Sequence, residues 1–270
     1  MNATTVHNEK SSSAVEVRGV SKVFANGFRA LDDINLTIED GQFLSIVGPS
    51  GCGKSTLLQI VAGLTAGSGG QTLVGGKPVT KPQPRDIAVI FQDALLLPWK
   101  TTLQNVEFPL DLQGVSAAER HSRSLEMIDL VGLKEFADNY PAQLSGGMRQ
   151  RVSIARGLAQ NPRIILMDEP FGALDEQTRI RMGQELVRIW EKSRKTVLFI
   201  THSLTEAIFL SDVVVVMGRN PGRILERIPV PLERPRVTDM IGSDVFGQLR
   251  NRIWHLLSDS GDTSSPAQNL

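Results

Sequence analysis

A glycine-rich segment places the strongest constraint on the fold of this chain: Gly48 to Thr56 reads GPSGCGKST. The apolar residues Phe43 to Val47 before it predict a buried strand, and Ser55 to Ala62 after it have helical character. Glycines at such a junction let the backbone wrap an anion and present N–H groups to it. The segment matches G-x-x-x-x-G-K-[ST] in the expected context, so it predicts a phosphate-binding loop rather than a chance turn rich in glycine and serine.

The loop by itself predicts a nucleotide and Mg²⁺ as ligands and would fit many NTPases; together with the motifs below, the predicted nucleotide is ATP. Lys54 is expected to reach the β- and γ-phosphates, and the Ser55 hydroxyl to ligate Mg²⁺. Cys52 is the only cysteine of the chain, so an intramolecular disulfide is excluded. Alkylation of this thiol is expected to inhibit hydrolysis, with ATP protecting; the alternative is a small side chain that only fills space. The remaining predicted nucleotide contacts of the loop are Gly48, Pro49, Ser50, Gly51, Gly53 and Thr56.

A second motif, IILMDEP at Ile164 to Pro170, ends an apolar strand in two carboxylates. Beside a phosphate loop, Asp168 is expected to help hold Mg²⁺, directly or through water. Glu169 is then expected to act as the base, or to orient the water, for attack on the γ-phosphate. The alternative is a strand end that leads into a solvated turn.

A third motif, LSGGMRQ at Leu144 to Gln150, follows in chain order before that strand. Ser145 is a plausible N-cap for a helix that runs to about Ala159. With Gly146 and Gly147 it predicts a second small anion site, made of a hydroxyl and free N–H groups at a helix start. The alternative is a helix cap that happens to contain glycine.

Short strands that alternate with helical stretches predict an α/β core. Asp40-Gly41 is a hairpin turn signal, and Thr101 to Asn139 reads as helical with breaks at Pro109 and Gly114. Near the end, Val213 to Met217 and Arg223 to Ile228 predict a strand pair. An amphipathic helix is expected over residues 245–257, with an apolar stripe at Val245, Leu249, Ile253 and Leu256.

Bulk composition excludes some functions. Acidic and basic residues number 29 each, which gives no support for nucleic-acid binding through bulk positive charge. The sequence contains no apolar run near the ~18–20 residues that span a bilayer. Residues 1–13 are polar and predict a disordered tail.

Together these motifs resemble the nucleotide-binding subunit of an ABC transporter, over roughly Val15 to Arg236. The resemblance implies an α/β P-loop NTPase core, with a mostly parallel sheet flanked by helices. It also implies an N-terminal antiparallel β subdomain and an inserted α-helical subdomain. The expected division is a tail at 1–13, an ATP-binding domain at 14–240 with its helical subdomain at about 100–150, and a C-terminal helix and tail at 241–270.

Four further residues match the family pattern. Phe24 corresponds to the aromatic residue that stacks on adenine, where most members have Tyr; read alone it is a half-buried strand aromatic. Gln92 matches the glutamine that contacts Mg²⁺ and the attacking water, and otherwise reads as an ordinary polar residue at a strand end. Asp175 matches the loop that communicates across the dimer, although alone it reads as a helix N-cap. His202 matches the histidine that contacts the γ-phosphate; a lone histidine is usually a surface or core residue.

The resemblance implies partners as well. Two ATPase subunits, identical or paired, are expected to sandwich each ATP between the phosphate loop of one and the LSGGMRQ segment of the other. An integral membrane permease is expected to dock near Trp99, and a solute-binding protein outside the cytoplasm to act indirectly. The expected location is peripheral, on the cytoplasmic face of the inner membrane, with no nucleic-acid partner.

The run LLPW at Leu96 to Trp99, with the segment GRNPGRILERIPVPLERPR, resembles the nitrate/sulfonate/taurine importer class. Three alternatives stay open: a soluble ABC ATPase, the ATPase subunit of an exporter, and a kinase or phosphotransferase. The last would leave LSGGMRQ and His202 unexplained.

Overall fold

The computed structural model describes residues 13–259. Its strands in that range are β1 (Ser13–Val23), β2 (Arg29–Glu39), β3 (Phe43–Val47), β4 (Gly69–Val74), β5 (Lys77–Pro78), β6 (Ile87–Ile90), β7 (Ile164–Asp168), β8 (Thr196–Ile200), β9 (Val213–Gly218) and β10 (Arg223–Pro229). Its α-helices are α1 (Lys54–Val61), α2 (Thr102–Leu112), α3 (Ala117–Leu130), α4 (Gly146–Ala159), α5 (Glu176–Ser193), α6 (Leu204–Leu210) and α7 (Asp244–Asp259). Short 3₁₀ turns occupy Lys134–Phe136, Pro141–Gln143 and Thr238–Gly242. The predicted tail at 1–13 lies outside the described residues except for Ser13, and so does the predicted tail beyond Asp259.

A six-stranded sheet forms the centre of the fold, in the order β10-β9-β3-β8-β7-β6. Every neighbouring pair in it is parallel except β10 with β9, where the predicted late strand pair closes one edge as an antiparallel hairpin. The predicted α/β core with a mostly parallel sheet is therefore confirmed. In such sheets ligands bind beyond the carboxyl ends of the strands, which is where β3, β7 and β8 deliver the predicted site residues.

Both faces of this sheet are buried, which explains why its strands are continuously apolar. Phe43 and Val47 of β3 pack into the core shared with α2 to α7, whereas Leu44 and Ile46 pack into the core shared with β1, β2 and α1. Successive side chains of a strand point to opposite faces of the sheet, so β3 contributes side chains to both cores. The predicted strand before the phosphate loop is confirmed.

A second, antiparallel sheet has the order β2-β1-β4-β5. Here the structure corrects the hairpin predicted at Asp40-Gly41. The strands on either side of that turn do not pair, because β2 pairs with β1 while β3 pairs with β8 and β9 of the other sheet. The local turn signal is real, with Gly41 at φ 73°, but a local signal cannot tell a hairpin from a connection between two sheets.

The middle of the chain is helical, as predicted, and α2, α3 and α4 pack against one another. The predicted break at Pro109 is wrong, because α2 continues through it to Leu112. A proline removes one backbone donor, and here the burial of Val106 and Leu110 holds the helix on both sides of it. The predicted break at Gly114 is confirmed by its φ of 78° just after the helix end.

Two helices near the C-terminal end refine the prediction. In α7 the buried positions are Phe246, Leu249 and Ile253, and the predicted Val245 is 42% exposed, so the apolar stripe begins one residue later than expected. The short helix α6 was not predicted, because seven residues are too few for an apolar period to show. Within residues 13–259, no helix has the length and apolarity that crossing a bilayer requires.

Candidate functional site

The phosphate loop joins the carboxyl end of β3 to the start of α1, as the sequence predicts. Gly51 and Gly53 adopt φ values of 78° and 94°, which L side chains rarely tolerate. A Cβ on Gly53 would also lie 2.6 Å from Cδ2 of Leu31. These glycines are therefore required by the backbone path of the loop.

Lys54 lies across this loop. Its side chain is buried, and Nζ donates hydrogen bonds to the carbonyl oxygens of Gly48 at 2.8 Å and Pro49 at 3.1 Å. The chain thus holds the ammonium group at the mouth of the loop, with backbone oxygens as its partners. A phosphate is a stronger acceptor for a charged donor than these carbonyls are.

A cavity of about 420 Å³ lies against the loop and collects most of the predicted site. Besides loop residues Ser50, Gly51, Gly53, Lys54, Ser55 and Thr56, it is lined by Phe24, Phe28, Ala30, Gln92, Glu169 and His202. Residues from five separate stretches of sequence therefore face one space. A cavity of this size accommodates a nucleotide-sized ligand.

Two aromatic rings form one wall of the cavity. Phe24 is 42% exposed, and its ring lies nearly parallel to that of Phe28, with centroids 6.4 Å apart and an angle of 14° between planes. The ammonium of Lys22 is 5.4 Å from the Phe24 centroid. Phe28 is a site residue that was not predicted, although its position after the Asn26-Gly27 turn, four residues beyond Phe24, is a local signal for it.

Asp168 lies at the end of β7 and is only 7% exposed. Its Oδ1 atom is buried without a hydrogen-bond partner in the described part of the chain. Burial raises the pKa of this carboxyl, the Ser55 hydroxyl beside it lowers the pKa, and the charge of Glu169 raises it further. A buried carboxylate oxygen without a donor, next to a hydroxyl, is an oxygen set that suits Mg²⁺, so these residues fit the predicted ion.

Glu169 is the next residue, and its backbone turns sharply out of the strand. Its φ of 47° is in the left-handed region, which costs a non-glycine residue about 1–3 kcal/mol. Its N–H bonds to the Ile200 carbonyl at 2.9 Å, which fixes the turn against β8. The strained backbone aims the carboxylate into the cavity instead of along the strand.

Two side chains hold the Glu169 carboxylate. His202 Nε2 lies 2.5 Å from Oε1, and Gln92 Nε2 donates to Oε2 at 3.3 Å. The three residues follow β7, β8 and β6, so the parallel sheet brings them together at one edge. Gln150, at the end of LSGGMRQ, donates from Nε2 to the Phe91 carbonyl at 3.0 Å and so fixes the backbone just before Gln92. This role of Gln150 was not predicted.

The structure does not bring the LSGGMRQ residues into this cavity. Ser145 caps α4 by accepting a hydrogen bond from Met148 N–H at 3.2 Å, and Gly146 and Gly147 form the first turn. Asp175 caps α5 in the same way, accepting from Thr178 N–H at 2.9 Å. The predicted helix caps are thus present, and the anion-binding and dimer-contact roles of these residues stay predictions.

Cys52 is buried, at 1% exposure, and burial raises the pKa of its thiol. Cys52 is absent from the residues that line the cavity, so the structure does not support the predicted contact of its side chain with nucleotide, and burial of the thiol argues against rapid alkylation. The Cys52 backbone is closely packed as well: a Cβ on Gly222, in the turn after β9, would lie 2.0 Å from the Cys52 carbonyl oxygen. This role of Gly222 was not predicted either, and its place in the Asn-Pro-Gly turn is the local signal for it.

Comparison with known proteins shows what this arrangement is similar to. The family model described as "ABC transporter" matches residues 31–172, which include the phosphate loop, LSGGMRQ and Glu169. An ATP-binding protein of Brucella abortus (strain 2308) is 52% identical over 229 residues, which is 85% of this chain and 88% of that protein.

Two other relatives carry names that mention a solute. The taurine import ATP-binding protein TauB of Rhizobium johnstonii is 46% identical, over 88% of this chain and 92% of that protein. The bicarbonate transport ATP-binding protein CmpD of Synechocystis sp. is 43% identical, over 93% of this chain and 91% of that protein.

Solved structures with the same fold include the dimeric structure of MJ0796, a bacterial ABC transporter cassette. It matches with a TM-score of 0.75 at 35% identity, covering 81% of this chain and 100% of that one. The dimeric post-hydrolysis state of the same cassette, bound to ADP and Pi, matches with a TM-score of 0.74, also at 35% identity and over 81% and 100% of the two chains.

Proposed function

This chain belongs to the ABC transporter family as one of its ATP-hydrolysing, Mg-ATP-binding subunits, and we propose that it powers a membrane importer for a small anion. The observation that carries the proposal is its similarity, over most of its length, to ATP-binding proteins named for taurine import and bicarbonate transport. Both solutes are small and carry an anionic group, as do the nitrate and sulfonates of the class that the sequence resembles. The solute itself is selected by other subunits.

In the proposed reaction, Glu169 accepts the proton of the attacking water, or orients that water toward the γ-phosphate. His202 and Gln92 hold the Glu169 carboxylate at 2.5 and 3.3 Å, so it needs little reorganisation. Lys54 and the loop N–H groups bind the phosphates, and Phe24 stacks on adenine. Asp168, Ser55 and Gln92 would hold Mg²⁺, which supplies a Lewis acid for the charge on the phosphates when it is bound.

Pairing of two subunits explains the residues that lie outside the cavity. ATP-binding cassettes of this family pair as dimers, and we propose a two-fold pair here, homodimeric in the simplest case. Ser145, Gly146 and Gly147 would then complete the partner's site, with Asp175 beside them. Nucleotide binds the two chains together, and hydrolysis weakens the contact, so the pair alternates between closed and open states.

A permease contact is supported by the segment after Gln92. Trp99 is 70% exposed, and the buried Asn105 holds the backbone on both sides of it by accepting from Leu97 N–H at 2.8 Å and donating to the Lys100 carbonyl at 2.9 Å. A large apolar ring on a rigid loop is typical of a protein contact. We propose that an integral membrane permease binds here, which would place the chain at the cytoplasmic face of the inner membrane.

Copurification with the permease tests this contact. Trp99→Ala is expected to lower the amount of permease that copurifies with the tagged chain by roughly tenfold, as for loss of an interface hot spot. Trp254→Ala is the matched control, because Trp254 is 62% exposed and belongs to α7, not to this loop. A chain that copurifies with no polytopic membrane protein would favour the soluble alternative.

The transported solute is tested in proteoliposomes that contain the purified complex, with a solute-binding protein where one copurifies. Nitrate, bicarbonate, taurine and alkanesulfonates are added outside, and ATP hydrolysis and uptake of labelled solute are measured. One anion class is expected to stimulate both. If ATP hydrolysis were stimulated only by solute on the side of the membrane where ATP binds, import would be contradicted and an exporter favoured.

A further inference from the structure

Two loops that carry predicted functional residues lie next to each other at the carboxyl edge of the central sheet. The loop after β7 begins at Glu169 and ends at Asp175, and the loop after β8 carries His202. Each loop leads into a helix, α5 and α6 respectively. Glu206, in the first turn of α6, contacts the loop after β8 directly and Arg179 of α5, and it does not line the nucleotide cavity.

One oxygen of Glu206 fixes the backbone around His202. The Thr201 hydroxyl donates to Glu206 Oε2 at 2.5 Å, and the same hydroxyl accepts from the Ser203 N–H at 3.0 Å. The Ser203 hydroxyl in turn accepts from the Glu206 N–H at 3.2 Å. His202 therefore sits between two residues that are both bonded into a closed network with Glu206.

The other oxygen of Glu206 faces α5. Arg179 Nε lies 3.6 Å from Glu206 Oε1, and Arg179 Nη2 donates to the Leu174 carbonyl at 3.2 Å. Leu174 is the residue immediately before Asp175. A continuous set of contacts thus runs from the His202 loop through Glu206 and Arg179 to the Asp175 loop.

The charges at this point favour a specific role for Glu206. Its side chain is 14% exposed, and burial raises its pKa, while the charge of Arg179 lowers it and those of Glu176 and Glu169 raise it. A buried carboxylate is costly without a partner, and Arg179 is the cation that faces it. At 3.6 Å the contact is longer than a hydrogen bond, and Arg179 Nε has no hydrogen-bond partner in the described residues. A small movement of either loop would therefore change the strength of the contact.

We propose that Glu206 is a positioning residue that couples the orientation of His202 to that of the Leu174–Asp175 loop. The inference rests on the proposed function, in which His202 contacts the γ-phosphate and Asp175 faces the partner subunit. Glu206 links two parts of the chain: His202, which contacts the γ-phosphate, and the Leu174–Asp175 loop, which faces the partner subunit. Both then adopt their active arrangement together.

The test compares Mg-ATP hydrolysis of the full chain with that of Glu206→Gln, Arg179→Met and Thr201→Val. Each variant is expected to lower kcat roughly 10- to 100-fold while KM for ATP changes less than about threefold, because orientation and not binding is lost. In a His202→Ala background, Glu206→Gln is expected to add less than about a twofold further loss, since it acts through His202. Thr201→Val removes one hydroxyl and changes no buried charged group. The proposal can therefore still be tested if Glu206→Gln does not fold.

Arg188→Met is the matched control, because Arg188 lies on the same helix and pairs with Glu185 at 2.6 Å on the surface. It is expected to keep wild-type kcat. The coupling would be overturned if Glu206→Gln kept the wild-type kcat or if it mainly raised KM for ATP. It would also be overturned if the reductions in kcat caused by Glu206→Gln and His202→Ala multiplied in the double variant. A wild-type chain that does not hydrolyse Mg-ATP would instead contradict the proposed function.

Discussion

At the scale of single residues, Glu169 shows how the site is prepared before its ligand binds. Its left-handed backbone, at φ 47°, and its contacts to His202 and Gln92 restrict the carboxylate to one orientation. Strain of this kind persists only where the surrounding structure enforces it. Here the parallel strands on either side supply that enforcement.

Glu169→Gln tests the role of this carboxylate. The amide keeps the size of the side chain but cannot accept the proton, so hydrolysis is expected to fall roughly 10²–10⁴-fold while ATP affinity is retained. Steady-state phosphate release and equilibrium binding of a fluorescent ATP analogue measure the two quantities. Glu185→Gln, on the surface of α5, is the control. Near-normal turnover in Glu169→Gln would rule out this role.

Cys52 gives a second test at this scale. Because the thiol is buried and burial raises its pKa, little thiolate is accessible at neutral pH. We expect iodoacetamide at pH 7.5 to modify the native chain at least about tenfold more slowly than the chain in urea. Over the time that modifies the chain in urea, the native chain should lose little ATPase activity. Mass spectrometry of intact protein follows the reaction. Rapid modification of the native chain, with ATP protecting, would restore the original expectation.

At the scale of elements, the short helix α6 depends on the segment after β10. Arg236 is buried and donates to the carbonyls of Ile208 at 2.7 Å and Phe209 at 2.9 Å, near the end of α6. Arg234 donates to the next carbonyl, Leu210, at 2.8 Å, with its guanidinium 4.0 Å from the Trp190 ring centroid. Cations at a helix C-terminus satisfy its free carbonyls and its dipole.

Arg236→Met tests this anchor. Burial lowers the pKa of Arg236 to about 10, so the side chain stays charged at neutral pH and its loss leaves buried carbonyls without donors. We expect the free energy of unfolding to fall by about 2 kcal/mol and Tm by roughly 5 °C. Differential scanning calorimetry of the nucleotide-free chain measures the change. Arg250→Met, at an exposed position on α7, is expected to leave Tm nearly unchanged; equal Tm values for both variants would contradict the anchor.

At the scale of the whole molecule, the phosphate loop and LSGGMRQ lie on the same chain but do not share a cavity. Within one chain, therefore, Ser145 does not contribute to the space next to Lys54. This separation supports the proposed two-fold pair, in which each chain supplies the half of the site that the other lacks.

Ser145→Arg tests the pairing. A large cation at the start of α4 is expected to abolish ATP-driven dimerisation, while the affinity of the monomer for nucleotide changes less than about twofold because the cavity lining is untouched. Light scattering with and without ATP reports the dimer, and titration of the isolated chain reports binding.

Ser116→Arg is the matched control for that variant. Ser116 caps α3 as Ser145 caps α4, accepting from Glu119 N–H at 3.4 Å, so both substitutions remove one helix cap. The control is expected to dimerise normally. An equal loss of nucleotide binding in the Ser145→Arg monomer would contradict a role in the partner's site.

The sequence by itself determined the chemistry of this protein, because its motifs are local. The phosphate loop needs a fixed spacing of glycines and Lys54 between a strand and a helix, and that spacing is visible in nine consecutive residues. The same holds for the caps at Ser145 and Asp175, and for the buried strands, whose apolar runs follow from burial on both faces. Family resemblance supplied His202 and Gln92, which no local rule identifies.

Only the tertiary structure decided which distant residues meet. Whether Asp40-Gly41 joins paired strands depends on the partners of β3, and these lie about 150 residues further along the chain. Gly222 packs against the backbone of Cys52, and Gln150 bonds to the Phe91 carbonyl, so both contacts join segments that are far apart in sequence. The link from His202 through Glu206 to Asp175 likewise exists because parallel strands place their following loops side by side. Such contacts depend on the order of strands in the sheet, which a local pattern does not encode.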